Sequence, residues 1–166
     1  MPYEDGKTHS EVGLYRMPNG DLILQLWRTA FRTGTKQLRS TDNGKTWVVE
    51  LDRIRIEGVT GADDDFAIGT EDWFVDPENP SDVYIAFQYY HYPPETAYTK
   101  ASKGGCILAK SQDNGKSYSF LSWINPLAIE ADGQEGSGHN TNEPAIEYVG
   151  NRTIVAVMRG NGTFQA

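Results

Sequence analysis

The 166-residue sequence predicts an all-β fold built from repeated four-stranded antiparallel sheets. The first observation is an internal repeat, since segment 40–47 (STDNGKTW) recurs as segment 111–118 (SQDNGKSY) with five of eight positions identical. The second is that short runs of alternating apolar and polar residues flank both copies, as in strands with one buried face. The third is composition, because 38% hydrophobic and 23% charged residues are typical of a globular chain with a core.

The repeated segment has the chemistry of a tight hairpin turn. Its central Asn-Gly pair tolerates positive φ angles. The aspartate can accept hydrogen bonds from N–H groups of the turn, and the aromatic residue that closes each copy can pack between sheets. We therefore predict that the repeat is structural and takes no part in chemistry. The residues assigned this role are Asp42, Gly44, Trp47, Asp113, Gly115 and Tyr118.

The first predicted unit spans residues 12–51 and holds four antiparallel strands. A turn at Pro18-Asn19-Gly20-Asp21 joins the first two strands, and the first copy of the repeat joins the last two. The predicted strands are 12–17, 22–27, 36–39 and 47–51.

The second predicted unit spans residues 73–122 and follows the same plan. Its first turn is Asp76-Pro77-Glu78-Asn79-Pro80, where the prolines occupy positions that need no ladder N–H. A half unit over residues 144–159 comes next. The predicted strands of these two units are 73–75, 83–89, 106–110, 118–122, 144–148 and 153–158.

The repeat resembles the Asp-box, S-x-D-x-G-x-[ST]-[WY], also known as the BNR repeat of sialidase-like β-propellers. The resemblance implies a partial β-propeller of about two and a half four-stranded antiparallel blades with Asp-box hairpins. These blades would be residues 12–51, residues 73–122 and the half blade 144–159. Because a blade cannot bury both faces alone, either further blades or a homo-oligomer would complete the ring; an open stack of blades is the remaining option.

Strand direction sorts the connections into two groups. The turns within hairpins share one end of the fold, while the long connections 29–35, 52–72, 90–105 and 124–143 share the other. Long loops on a rigid scaffold are where binding and catalysis usually occur, so the end with the long connections is the candidate functional face. We expect a carbohydrate ligand there. The residues predicted to bind it are Arg28, Arg32, Tyr90, His91, His139 and Asn142.

A more specific likeness lies in the half unit. The run Asn142-Glu143-Pro144-Ala145, followed after a turn by Val157-Met158-Arg159, is similar to a sialidase segment in which a glutamate opens one strand and an arginine closes the next. The resemblance implies that Glu143 assists a tyrosine nucleophile and that Arg159 helps to bind the substrate carboxylate. A tyrosine nucleophile is a known exception to the two-carboxylate scheme of glycosidases.

The sequence departs from the sialidase pattern at two points. Arg16 lies at the turn end of its strand, which is the wrong end for the first-strand arginine of that family. Segment 29–35 holds no aspartate where the family has its general acid. Three alternatives therefore stay open: a sialidase-like glycoside hydrolase, a non-catalytic carbohydrate- or protein-binding propeller, and a fragment without activity of its own. The binding module also fits the run 76–84, which resembles turns of xyloglucanase-type and sorting-receptor propellers.

Charge and composition exclude several classes of partner. The net charge of −8 argues against nucleic acid or an anionic membrane surface as a partner. Apolar runs are too short to span a bilayer, and segment 1–5 has no signal-peptide pattern, although the resemblance implies a secreted or periplasmic protein. Cys106 is the only cysteine, so no intrachain disulfide forms. We expect no cofactor and no metal, and interpret the run Asp63–Asp65 as a solvated loop.

Overall fold

The computed structural model describes residues 9–28, 35–59, 66–91, 103–124 and 141–160. All regular structure in these ranges is β, as the sequence predicted, and it forms two large sheets and one separate hairpin. The strands are β1 (His9–Arg16), β2 (Leu22–Arg28), β3 (Thr35–Ser40), β4 (Val48–Leu51), β5 (Ile56–Glu57), β6 (Phe66–Val75), β7 (Val83–His91), β8 (Lys103–Ser111), β9 (Tyr118–Trp123), β10 (Thr141–Gly150) and β11 (Thr153–Gly160).

The first sheet has the order β1-β2-β3-β4 and is antiparallel throughout. Its first turn closes with a hydrogen bond from Met17 N to Asp21 O of 2.8 Å, and Gly20 supplies the positive φ of 91° that the turn requires. The buried positions Ile23 and Gln25 are two residues apart on β2, so both lie on one face of the sheet. That face is directed toward the second sheet.

The second sheet has five strands in the order β5-β9-β8-β7-β6, one more than the sequence predicted. The additional strand, β5, pairs in parallel with β9 through Ile56 and Tyr118. Ile54 and Ile56 are fully buried, and Ile54 N donates to Thr35 O of the first sheet at 2.8 Å. A two-residue strand is too short to show alternation, so the sequence pattern could not reveal it.

Strand β6 is also longer than predicted, since it begins at Phe66 and not at residue 73. It pairs with β7 from Phe66↔His91 to Val75↔Val83, with one register shift between Thr70 and Asp72. The polar residues of segment 69–72 and this irregularity hide the strand in the sequence, because they interrupt the apolar alternation.

Strands β10 and β11 form the separate hairpin, which packs against the second sheet and is called the third hairpin because it follows the two sheets in the chain. Its turn contains Gly150, Asn151 and Arg152 with positive φ angles of 93°, 52° and 56°. Strand β10 begins at Thr141, so Asn142 and Glu143 belong to the strand. The prediction that they lie in the preceding loop was wrong. A hydrogen bond of 2.8 Å from Ile146 N to Asp72 Oδ2 fixes the hairpin against β6.

The core lies between the first and second sheets. Phe87 of β7 meets Tyr118 of β9 edge to face at 5.4 Å between ring centroids, and both side chains are buried. Other members of this cluster are Tyr15, Met17, Ile23, Ile54, Ile56, Val83, Ile85, Ile107 and Ala109. The result is an all-β stack of packed, mainly antiparallel sheets. In the described ranges no helix is long and apolar enough to cross a membrane.

Candidate functional site

Ring contacts establish which ends of the three units lie together. Tyr15, near the end of β1, meets Trp73, near the end of β6, at 5.5 Å between ring centroids. Phe74 of β6 meets Tyr148, near the end of β10, at 6.2 Å. The first strands of all three units therefore finish at the same end of the molecule, which we call the turn end. The opposite end, where β2, β7 and β11 finish, is called the mouth.

Strand register brings polar residues together at the mouth in each unit. Arg28 ends β2 opposite His9, and His91 ends β7 opposite Phe66. In the third hairpin, Arg159 lies opposite Asn142. The predicted residues Arg28, His91 and Arg159 thus lie at or next to the ends of corresponding strands, and Asn142 lies opposite Arg159.

Glu143 stands out because of its backbone. Between the pairs Asn142↔Arg159 and Ala145↔Val157, β10 contains two residues where β11 contains one, which defines a β-bulge. Glu143 has a φ of 53°, a conformation that a non-glycine residue rarely adopts, and its side chain is exposed. Bulges redirect side chains and are common beside active sites. Pro144, which follows it, is buried.

The remaining predicted contact residues divide into two groups. Tyr90 lies on β7 opposite Ala67, and His91 follows it, so both belong to the strand and not to the loop in which they had been predicted. Arg32 and His139 fall outside the described residues. The strand register alone therefore places Arg28, Tyr90, His91, Asn142 and Arg159 at the mouth.

The first copy of the repeat, which resembles an Asp-box and is called the first Asp-box below, lies at the turn end, away from the mouth. Asp42 Oδ1 accepts hydrogen bonds from Ser40 Oγ at 2.8 Å and from Thr46 N at 2.9 Å, while Oδ2 accepts one from Thr46 Oγ1 at 2.6 Å. These hydrogen bonds lower the pKa of Asp42 to about 2, and the one from the Thr46 hydroxyl has the largest effect. Trp47 closes the turn by donating from Nε1 to Gly44 O at 3.1 Å. The carboxylate is thus engaged by its own turn.

The second Asp-box has the same internal hydrogen bonds. Asp113 accepts from Ser111 Oγ at 2.9 Å, from Ser117 N at 2.9 Å and from Ser117 Oγ at 2.6 Å. Burial raises the pKa of Asp113, but the hydrogen bonds led by Ser117 outweigh it, so the pKa is lowered. Gly115 has a φ of 80°, and Gly44 in the first Asp-box has a φ of 84°.

A buried polar network beneath the second Asp-box was missed by sequence reasoning. Arg39 Nε donates to Glu50 Oε1 at 2.8 Å and Nη1 donates to Asp21 Oδ2 at 2.9 Å, with only 7% of the arginine side chain exposed. Burial alone would lower the pKa of Arg39, but the two carboxylates raise it. The one sequence feature that could have indicated this network is the pair Gln37 and Arg39, two polar residues at inward-facing positions of one strand.

A cavity of about 440 Å³ lies at the turn end, between the second sheet and the third hairpin. Tyr148 there donates its hydroxyl hydrogen to Glu78, and this hydrogen bond raises the pKa of Tyr148. Burial raises the pKa of Tyr84. In the described part of the chain, no group of three or more His, Cys, Asp or Glu residues is placed to hold a metal ion. The cavity is lined by Asp76, Glu78, Asn79, Asp82, Tyr84, Tyr148, Arg152 and Ile154.

Comparison with known proteins gives a likeness in fold only. No protein-family model matches the sequence, and no curated protein matches it. Among solved structures, the chain is similar to Hadza microbial sialidase Hz136, with a TM-score of 0.61 and 12% sequence identity. The match covers 95% of this chain and 31% of that one, so the chain spans about a third of the length of its structural neighbour. At this identity the likeness supports a sialidase-like fold.

Proposed function

We propose that the chain forms part of a sialidase-like β-propeller and contributes to a carbohydrate-binding mouth that processes glycans by glycoside hydrolysis. In this proposal the two sheets are two blades and the third hairpin is half a blade. The observation that carries it is the pairing of Asn142 with Arg159 at the mouth, beside a bulge that exposes Glu143. Support for the fold comes from the solved sialidase to which the chain is similar.

The two central residues have complementary chemistry. The guanidinium group of Arg159 has a fork of donors that can bind a substrate carboxylate through two parallel hydrogen bonds. The carboxylate of Glu143 can act as a general base toward a phenol, which raises the nucleophilicity of that phenol. We assign the nucleophile itself to no tyrosine of the described residues. Arg159 therefore binds and orients the substrate in this proposal, while Glu143 handles a proton.

The remaining mouth residues extend the binding surface. Arg28 ends the equivalent strand of the first sheet, and Tyr90 and His91 end that of the second. An aromatic side chain such as Tyr90 can stack on a sugar ring, while the charged and polar groups can bond to its hydroxyls. We propose contact roles for these residues, and the same role for Arg32 and His139.

The test is hydrolysis of a chromogenic sialoside by the wild-type chain and by Arg159→Ala and Glu143→Ala. We expect Arg159→Ala to raise KM and lower kcat/KM by about 10²-fold, because the charged hydrogen bonds proposed between the guanidinium group and the substrate carboxylate are lost. Glu143→Ala should lower kcat by about 10²–10⁴-fold, as removal of a general base does. The matched controls are Arg152→Ala, at the turn end of the same hairpin, and Glu147→Ala, exposed on the same strand. Hydrolysis that survives both mouth substitutions would disprove the assignment.

A non-catalytic carbohydrate-binding module is the second candidate. The observation that favours it is the lack of an aspartate in segment 29–35, where a sialidase has its general acid. Titration calorimetry with a non-hydrolysable sialoside separates the two functions. Binding that Arg159→Ala abolishes, in a wild-type chain without hydrolysis, would establish the binding module in place of the enzyme.

A further inference from the structure

An aspartate carboxylate connects the third hairpin to the second sheet in the middle of both elements. Asp72 lies on β6 and is half-buried. Its Oδ1 accepts a hydrogen bond from Trp73 N at 2.8 Å, and its Oδ2 accepts one from Ile146 N of β10, also at 2.8 Å. Aspartate is depleted in strands, so these bonds, and not strand propensity, account for a carboxylate at this position.

The two hydrogen bonds require a carboxylate at position 72. The bond to Trp73 N, which belongs to the next residue in the chain, holds one oxygen against β6 and leaves the other to accept from β10. An asparagine has the same shape but only one acceptor oxygen, so its amide group would set a donor against one of the two N–H groups. Ile146 is buried, so loss of its bond would leave an N–H group without a partner in a buried strand.

The connection lies directly beside two β-bulges. In β6 the register shift between Thr70 and Asp72 leaves residue 71 unpaired, so Asp72 is the first paired residue after that bulge. In β10, Ile146 is the second paired residue after the bulge that contains Glu143. Both bulges lie on the mouth side of the hydrogen bond. Because bulges bend and twist a strand, the direction of the strand segments beyond them depends on how the strands are anchored.

Other contacts between the same elements lie nearer the turn end. Tyr148 donates its hydroxyl hydrogen to Glu78, and its ring meets that of Phe74 at 6.2 Å between centroids. Phe74 lies two residues beyond Asp72 on β6, and Tyr148 lies two residues beyond Ile146 on β10. The third hairpin is thus attached to the second sheet both at the turn end and in the middle of its first strand.

The attachment in the middle of β10 controls the direction in which the hairpin points. At about 3.4 Å per residue, Glu143 lies about 17 Å from Tyr148 along the strand, so a tilt of about 4° around the turn-end contacts would move Glu143 by about 1 Å. A hydrogen bond is directional, whereas apolar packing is not, so the bond to Asp72 limits this tilt. Misplacement of a reacting group by about 1 Å can lower a rate by about 10²-fold.

We propose that Asp72 is a positioning residue of the mouth. Its carboxylate holds β10 against β6 and thereby fixes Glu143 relative to Tyr90 and His91, at the end of the strand that pairs with β6. Arg159 moves together with Glu143, because β10 and β11 are paired as one hairpin. Asp72 acts through Glu143 and needs no contact with the substrate. Its effect on the rate rests on the function proposed above, whereas its effect on the place of Glu143 does not.

The first test measures structure and needs no substrate. Asp72→Ala removes both bonds, so the amide proton of Ile146 should exchange with solvent about tenfold faster or more, and the backbone amide resonances of Glu143 and Arg159 should shift. Tyr148→Phe is the matched control, because it removes a hydroxyl contact between the same elements at the turn end. It should leave both mouth resonances nearly unchanged. NMR spectra of the isotope-labelled full chain give the shifts and the exchange rates.

The second test measures hydrolysis of the chromogenic sialoside. Asp72→Ala should lower kcat by about tenfold or more and change KM by less than about threefold, because the substrate carboxylate follows Arg159 when the hairpin tilts. In a Glu143→Ala background the same substitution should have no further effect on kcat, since Asp72 acts through Glu143. A general loss of structure would instead lower kcat in both backgrounds. Tyr148→Phe should leave kcat unchanged.

The outcomes separate this proposal from the proposed function. If the wild-type chain hydrolyses no sialoside, the amide shifts at the mouth still decide the role of Asp72. If Asp72→Ala does not fold, an ester in place of the amide of Ile146, made with the α-hydroxy acid of isoleucine, deletes only the N–H donor and should give the same shifts. Shifts confined to residues 72, 73 and 146, equal mouth shifts in Tyr148→Phe, or an equal loss of kcat in the Glu143→Ala background would each overturn the proposal.

Discussion

The two Asp-box turns of this chain have nearly the same sequence but very different surroundings. In each turn the aspartate accepts hydrogen bonds from the serine two residues before it and from the backbone N–H four residues after it. The corresponding distances in the two turns agree within about 0.1 Å. The first turn projects from the first sheet, and Val48 and Val49, which follow it, are exposed. The second turn is inserted into the first sheet. Local hydrogen bonding is therefore independent of packing in these turns.

Their closing aromatic residues show what packing adds. Trp47 is half-buried and donates to a carbonyl of its own turn. Tyr118 is 2% exposed, donates its hydroxyl hydrogen to Gln37 Oε1 at 2.7 Å and accepts from Gln25 Nε2 at 3.0 Å. Burial raises the pKa of Tyr118 well above its ordinary value. The second turn thus joins two sheets, while the first is bonded within the first sheet, where Asn43 Oδ1 also accepts from Arg16 Nη1 at 3.4 Å.

The largest expected difference between the turns is in their aromatic residues. Tyr118→Ala should lower the free energy of unfolding by about 3–5 kcal/mol, because it leaves a cavity in the core between the sheets. Trp47→Ala should cost about 1 kcal/mol, since its side chain is only half-buried. Urea denaturation followed by circular dichroism measures both values.

A conservative variant separates packing from hydrogen bonding at this position. Tyr118→Phe keeps the ring and removes the hydroxyl, so Gln25 and Gln37 each lose a buried partner at a cost of about 1–3 kcal/mol. Equal losses for Tyr118→Ala and Trp47→Ala would contradict the view that only the second turn joins the sheets.

A smaller difference is expected at the glycines of the two turns. Gly44→Ala and Gly115→Ala suffer the same backbone strain, about 1 kcal/mol, because both glycines have φ angles near 80°. A Cβ at Gly44 would meet Leu22 Cδ1 at an ordinary 3.6 Å, whereas one at Gly115 would overlap Ile23 Cδ1. Gly115→Ala should therefore cost about 1–3 kcal/mol more than Gly44→Ala.

The glycine pair is measured in the same denaturation experiment. Substitution of Ile23 by valine in the Gly115→Ala background shortens the overlapping side chain and should recover part of the loss. Equal costs for the two glycine variants would mean that the Ile23 side chain moves aside freely and that the second turn is not tightly packed on the first sheet.

Much of the fold could be predicted because its signals are local. The Asn-Gly turns, with φ angles of 58° at Asn43 and 59° at Asn114, need no partner elsewhere in the chain. The alternation around Ile23 and Ile85 likewise identifies strands from neighbouring residues alone. Strand β5 could not be found in this way, because Ile56 is a strand residue only through its pairing with Tyr118. Parallel pairing of distant segments has no local signature.

The candidate site was less accessible to sequence reasoning. Strand direction and hairpin connectivity were enough to place Arg28, His91 and Arg159 at one end of the molecule. The bulge at Glu143 depends on register with β11, and the place of the second Asp-box on the first sheet depends on contacts between Arg39 and residues far along the chain. Such features arise from tertiary packing, which the spacing of apolar residues in the sequence does not predict.

The smallest expected effect is on the pH dependence of stability, through the aspartate carboxylates of the two turns. The folded-state pKa of Asp42 is about 2, below its ordinary value of 3.8, so its carboxylate stabilises the folded state above the ordinary pKa. That contribution is lost as the pH falls through the window between these two values. The difference in Tm between wild type and Asp42→Asn should therefore be constant near neutral pH and shrink below about pH 4. Thermal unfolding followed by circular dichroism from about pH 7 to about pH 2 measures it.

Asp113→Asn provides the matched comparison in the second turn. Its hydrogen bonds also lower the pKa of Asp113 although burial opposes them, so the difference between wild type and Asp113→Asn should likewise shrink as the pH falls below the ordinary pKa of an aspartate. Subtraction of each variant from wild type cancels the titration of all other carboxyl groups. A difference curve for Asp42→Asn that stays flat down to about pH 2 would show that the turn binds the neutral carboxyl as well as the carboxylate. The hydrogen bonds from Thr46 to Asp42, at 2.6 and 2.9 Å, argue for the carboxylate, since both groups are donors that prefer a charged acceptor.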